Sequence, residues 1–239
     1  VPFPIKSIFL LLSIVLIHNF SCYGQKEFYI FRHINTSAGL ASDAVISITQ
    51  DDKGFIWIAT TNGVQKYDGN SFTGYHHDPY DPKSISSDNA GFLLKDREDN
   101  IWIASSFSGF NILNPSTGKC IRISDFKDSS LRNLDNSRCA CLDAQGNTWL
   151  MALNTVAKYD VVHHQLVSYD YLLPKDKNIG MTKTILCDPR TGNLWINSNQ
   201  YGICMLDPKR NIFYNKTFNP ENIPVFNLVH DPGTLYLDK

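Results

Sequence analysis

The chain has 239 residues, 43% of them hydrophobic and 19% charged, with a formal net charge of -1. That is the composition of a globular protein with room for a real core, and it excludes a disordered chain. Near-neutral charge without a basic run also excludes a phosphate-neutralising surface, so no nucleic acid partner is expected.

In chain order the first feature is an apolar run at 8–17, preceded by Lys6 and followed by Ser21-Cys22-Tyr23-Gly24-Gln25. Ten residues are too few to span a bilayer comfortably but suit the central region of a signal peptide. Cys22 and Gly24 supply small residues for a cleavage site. Cleavage is therefore expected after Gly24, making 1–24 a signal peptide and 25–239 an exported chain. A lipoprotein cysteine at Cys22 fits less well, because Asn19-Phe20-Ser21 is a poor lead-in.

A strand without a partner nearby in sequence is expected at 28–34. The first full repeat unit follows. Residues 44–50 are rich in β-branched side chains and read as a strand, and Asp51-Asp52-Lys53-Gly54 as a turn. Residues 55–60 make the second strand, and Asn62-Gly63 is a strong hairpin signal. Strands at 64–67 and 71–75, separated by Asp68-Gly69, complete a blade-sized sheet of four short antiparallel strands.

The same order returns, giving repeats near 39–80, 84–124, 131–170 and 180–217. A truncated fifth begins at Phe226, with Tyr236 in the tryptophan's place. The four tryptophans of the chain, Trp57, Trp102, Trp149 and Trp195, lie 45, 47 and 46 residues apart in similar frames. A period of about 40 to 50 residues points to propellers, solenoids or arrays. The expected fold is all-β, a β-propeller of four-stranded antiparallel blades with about four and a half blades present. The chain is read as part of a longer protein whose ring is incomplete here; a five-bladed ring is the alternative.

Large aromatics recurring mid-strand are expected to pack between blades rather than to serve as sugar platforms. Glycan contacts would come instead from loops on one face of the ring. His76-His77 and His163-His164 are read as surface loop residues, since no third ligand converges on them by spacing. The Asp-rich turns at 51–52 and 96–100 lack the ligand pattern of a calcium loop. Neither a metal nor a cofactor is expected. The five cysteines beyond Gly24 are read as buried small hydrophobes, with a Cys187–Cys204 bridge left open. No nucleophile-elbow, zinc-hydrolase or phosphate-loop motif is present.

The frames Gly39-Leu40-Ala41-Ser42-Asp43-Ala44-Val45, Asp51-Asp52-Lys53-Gly54-Phe55-Ile56-Trp57-Ile58-Ala59-Thr60 and Gly63-Val64-Gln65-Lys66-Tyr67-Asp68 resemble the two-component regulator propeller repeat. The stretch at 77–86 looks like that family's inter-blade linker. The match loosens in the third and fourth units, where Thr155-Val156 and Gly202-Ile203 stand for Gly-Leu. The resemblance implies an incomplete seven-bladed ring within the periplasmic sensor of a hybrid two-component histidine kinase. Such sensors commonly read oligosaccharides. The implied partners are an oligosaccharide, the remaining blades and sensor domains of the parent, and a second copy of the chain. The chain itself is expected to be non-catalytic. A secreted propeller lyase or glycosidase and a protein-interaction scaffold are the alternatives.

Overall fold

A computed structural model of the chain describes residues 31–105, 108–126, 134, 139–152, 155–169, 182–227 and 235. The expected signal peptide and Tyr236 lie outside them. The chain divides into 1–33 and 34–239, and every described strand falls in the second part.

Four sheets of four antiparallel strands follow one another along the chain. The first is β1 (Val45–Gln50), β2 (Ile56–Thr60), β3 (Gly63–Tyr67) and β4 (Phe72–Tyr75). The second is β5 (Ala90–Lys95), β6 (Ile101–Ser105), β7 (Gly109–Asn114) and β8 (Lys119–Arg122). The third is β9 (Cys139–Leu142), β10 (Thr148–Ala152), β11 (Thr155–Asp160) and β12 (Gln165–Ser168), and the fourth β13 (Thr182–Cys187), β14 (Leu194–Ser198), β15 (Gly202–Asp207) and β16 (Ile212–Tyr214). Each strand pairs with the next in sequence, so tight turns make all the connections within a sheet. Gly63, at φ 89°, supplies the left-handed residue that closes the hairpin between β2 and β3.

The first strands of successive sheets lie side by side, β1 against β5, β5 against β9 and β9 against β13. Side chains cross this gap: the Leu93 N–H donates to Ser47 Oγ at 3.1 Å. The core is accordingly a series of slabs between sheets. Trp57, Ala59 and Val64 of the first sheet pack on Leu93, Ile101 and Ile103 of the second. Trp102 and Phe110 pack on Leu150, Ala157 and Tyr159 of the third. Trp149, Met151 and Val156 pack on Ile185, Leu194 and Ile196 of the fourth. Each fully buried indole removes about 200 Å² from water, contributing at most about 5 kcal/mol.

The face of the first sheet that points away from the second is open at β1, whereas Ile58 and Gln65 on the same face are buried. Ile48 is 60% exposed there, whereas its counterparts Leu93 and Ile185 are 5% and 2% exposed beneath the preceding sheet. Of the strand expected at 28–34, residues 28–30 lie outside the described residues, and residues 31–34 are not in a strand. Pro224–Asn227, where the fifth unit is expected to begin, is a 3-10 turn that folds Phe226 back onto Trp195 and Tyr214. Among the described residues no helix is long and apolar enough to cross a membrane.

Candidate functional site

The two ends of each sheet are chemically different. At one end lie the turns between first and second strands, where the aspartates are committed to the fold. Asp51 Oδ1 accepts the N–H groups of Lys53 and Phe55, and its Oδ2 accepts the Trp57 indole N–H at 2.9 Å. Asp96 repeats this with Glu98, Asn100 and Trp102, and Asp143 with Gln145, Asn147 and Trp149. One carboxylate thus closes the turn and satisfies a buried indole, which would otherwise be an expensive orphan donor. These are the turns considered above for calcium, and their oxygens face the protein's own N–H groups. Among the described residues no three His, Cys, Asp or Glu gather to hold a metal.

The fourth sheet departs from the pattern. Its turn is one residue longer, so Asp188 accepts from the Arg190 N–H and the Thr191 hydroxyl instead. Trp195 is half-buried and stacks on Phe226 at 5.9 Å. The turns of adjacent sheets are also tied together. Asp99 adopts φ 63° where Gly54 and Gly146 occupy the other turns, and its carboxylate accepts the Asp52 N–H at 3.0 Å. Lys95 pairs with Asp52, and Arg97 Nη2 donates to the Ala144 carbonyl at 2.8 Å.

The opposite end carries the linkers between sheets and the turns between second and third strands. Amides on the third strands anchor the incoming linkers. Gln65 Oε1 accepts the Ala41 N–H and its Nε2 donates to the Gly39 carbonyl. Asn111 Oδ1 accepts the Ser86 N–H and its Nδ2 donates to Ser86 Oγ. The register puts Ala157 and Cys204 at this position in the third and fourth sheets.

Between the first two sheets, Asp88 is the junction. Its carbonyl accepts the Gly63 N–H at 2.6 Å and its carboxylate accepts the His77 N–H at 2.7 Å, with His76 Nδ1 3.5 Å away. His77 Nδ1 lies 2.9 Å from the Ile85 carbonyl oxygen. The linker then crosses the free edge of β8. The Cys120 N–H donates to the Lys83 carbonyl, and Arg122 Nε donates to the Ser84 carbonyl. This protects an edge that could otherwise recruit another strand. Tyr80 stands on this braced loop, 94% exposed, and Thr61, Asn62, His76 and Asn89 are exposed near the junction. Here polar and aromatic groups face solvent from a fixed backbone. The second histidine pair serves a turn at the other end: His163 Nδ1 is 3.0 Å from Asp160 Oδ2 and His164 Nδ1 is 3.1 Å from the Tyr159 hydroxyl. The bond from His163 is the main cause that holds the Asp160 carboxyl below its usual range.

All five described cysteines are free and buried. Burial pushes the thiols of Cys120, Cys139 and Cys204 up to about 12 and that of Cys187 to about 11. The Cys187–Cys204 bridge is absent. Cys187 lies opposite Leu194 and Cys204 opposite Ile196, so the two are two strands and two residues apart. That is about 12 Å, well beyond disulfide reach.

Residues 39–62 match the family model of the two component regulator propeller. Histidine kinase P4 of Formosa agariphila is 36% identical over 66 residues, which is 28% of this chain and 5% of that protein. The extracellular domain of a hybrid two component system from B. thetaiotaomicron superposes with a TM-score of 0.66 at 21% identity, covering 79% of this chain and 26% of the other. Virginiamycin B lyase from Staphylococcus aureus, solved with quinupristin, gives 0.56 at 14% identity, covering 74% of this chain and 56% of the other. The chain therefore spans a small part of the kinase and about a quarter of the extracellular domain. A sensor region and a lyase share this architecture, so the fold alone does not choose between them. What the comparisons and the sheets establish together is a β-propeller fold of four-stranded blades in which residues 39–62 match the two component regulator propeller model.

Proposed function

We propose that the chain is the ligand-reading part of the periplasmic sensor region of a hybrid two-component histidine kinase. In this reading an oligosaccharide binds at the linker-bearing end of the sheets, and binding changes how the sensor domains pack, which biases the kinase across the membrane. The observation that carries the reading is the division between the two ends. The aspartate turns are consumed by internal hydrogen bonds, whereas the braced linker at 76–89 leaves Tyr80 and several polar side chains to solvent. An aromatic ring on a preorganised loop, flanked by hydrogen-bonding groups, suits the apolar face and hydroxyl rim of a pyranose. The similarity to a histidine kinase and to the extracellular domain of a hybrid two component system supports the signalling context. Export of the chain belongs to the same proposal.

Calorimetry of the complete extracellular region against an oligosaccharide panel tests it. One class of glycan is expected to bind saturably and be recovered intact, and Tyr80→Ala is expected to weaken binding about tenfold. Released product would establish a glycan-cleaving propeller instead, and silence across the panel would remove the sugar from the account.

A further inference from the structure

Four of the five described cysteines, Cys139, Cys141, Cys187 and Cys204, share the core between the third and fourth sheets. Their placement on strands narrows which of them can meet. Cys139 and Cys141 are two apart on β9, so their side chains share a face but their α-carbons are about 6.8 Å apart, at the limit of bridging. Cys204 lies two strands from Cys187.

The gap between first strands leaves one pair. Between the first two sheets, Ser47 Oγ accepts the N–H of Leu93, a residue 46 further along the chain, at 3.1 Å. Such a contact brings the two α-carbons within about 7 Å, close to the disulfide range. Strand β9 lies against β13 as β1 lies against β5, and the same offset from Cys141 arrives at Cys187. After burial, the neighbouring Cys187 is the next cause that pushes the Cys141 thiol up, in keeping with the two lying close together. Cys187 shares its strand face with Ile185, two residues back, and both contribute to the slab shared with the third sheet.

We propose that Cys141 and Cys187 are a redox-dependent staple between the third and fourth sheets, free in the reduced protein and joined on exposure to a disulfide oxidant. The step is thiol–disulfide exchange. One cysteine, as thiolate, attacks the oxidant's S–S bond, giving a mixed disulfide and releasing one reduced thiol. The second cysteine, as thiolate, then attacks the protein-side sulfur and expels the other. Two protein thiols lose two electrons and two protons, and one small disulfide becomes two thiols. Because both sulfurs are buried in the folded chain, closure is expected during folding or on opening of the sheets rather than by direct attack on the native surface. A closed staple would fix the angle between two neighbouring sheets without touching the linker-bearing end.

The test is refolding of the reduced full chain with and without oxidised glutathione, followed by non-reducing tryptic mapping. The oxidised protein is expected to yield peptide 139–158 joined to 184–190, with a mass 2 Da below the sum of the reduced peptides. Fragmentation should place the link on Cys141, and Cys139→Ser and Cys204→Ser should retain it while Cys141→Ser loses it. The oxidised chain should also unfold roughly 5–10 °C higher than the reduced one. Recovery of Cys141 and Cys187 as free thiols, or a link from Cys187 to Cys139 or Cys204, overturns the proposal. The wild-type map decides even if a variant does not fold.

Discussion

The indole of Trp102, on the second sheet, meets the ring of Tyr159, on the third, edge to face at 69° with centroids 5.1 Å apart. Phe110 of the second sheet and Phe126 of the following linker join the same group at similar edge-on angles. This aromatic contact crosses the gap between sheets, so it contributes to their docking as well as to the core of either one. Replacing Trp102 by Ala is expected to cost about 3–5 kcal/mol in urea unfolding of the whole chain. Trp195→Ala should cost less, because that ring is half-buried. Equal losses at the two positions would show that burial between sheets does not set the contribution.

The aspartate clasp predicts a second contrast. Asp96→Ala removes the acceptor for two turn N–H groups and the Trp102 indole together, and a loss of about 2–4 kcal/mol is expected. Asp96→Asn keeps an acceptor oxygen and should lose less. Asp188→Ala should cost only about 1–2 kcal/mol, since Asp188 serves its turn and not the indole. Near-ultraviolet circular dichroism adds a check on Trp102: its signal should change in Asp96→Ala and persist in Asp188→Ala.

Two glycines separate backbone strain from crowding. Gly63 and Gly69 both have positive φ, 89° and 97°. A Cβ at Gly63 would lie 2.8 Å from the Tyr75 carbonyl oxygen and 2.8 Å from His76 Nδ1, whereas one at Gly69 would meet nothing within 4 Å. Gly69→Ala should therefore cost about 1 kcal/mol, the conformational part alone. Gly63→Ala should cost about 2–4 kcal/mol, because the carbonyl cannot move without disturbing the pairing of β3 with β4. Thermal unfolding of the two variants side by side gives the comparison, and matching midpoints would eliminate the crowding argument.

Much of this architecture is written in local chemistry. Asn62-Gly63 marks its hairpin because a left-handed residue is needed there, and the strands of the first sheet fall within one residue of the ranges read from sequence. The aspartate–indole bond was in view as a constant spacing of six, from 51 to 57, 96 to 102 and 143 to 149. It was hidden because aspartate in such a turn already has a sufficient local reason, the hydrogen bonds to its own backbone. The anchoring amides were harder still, since Gln65 and Asn111 differ in type and hold linkers 24 to 26 residues upstream. The linker-end groups come from segments before, within and after a sheet, and only the folded chain places them together. Whether Cys187 can meet Cys204 depends likewise on the strands between them, which spacing in sequence does not show.

The anchoring amides have one more implication. Gln65 and Asn111 tie down the incoming segments of the first two sheets, while Ala157 and Cys204 at the same register offer no equivalent grip. The clasp of aspartate on tryptophan, by contrast, persists in the third sheet and fails only where its turn gains a residue. Opposite ends of one sheet therefore answer to separate rules, one fixed by the need to dock on a neighbour and one free to diverge. A chain built this way can acquire a new recognition surface by altering its connections while inheriting its framework unchanged.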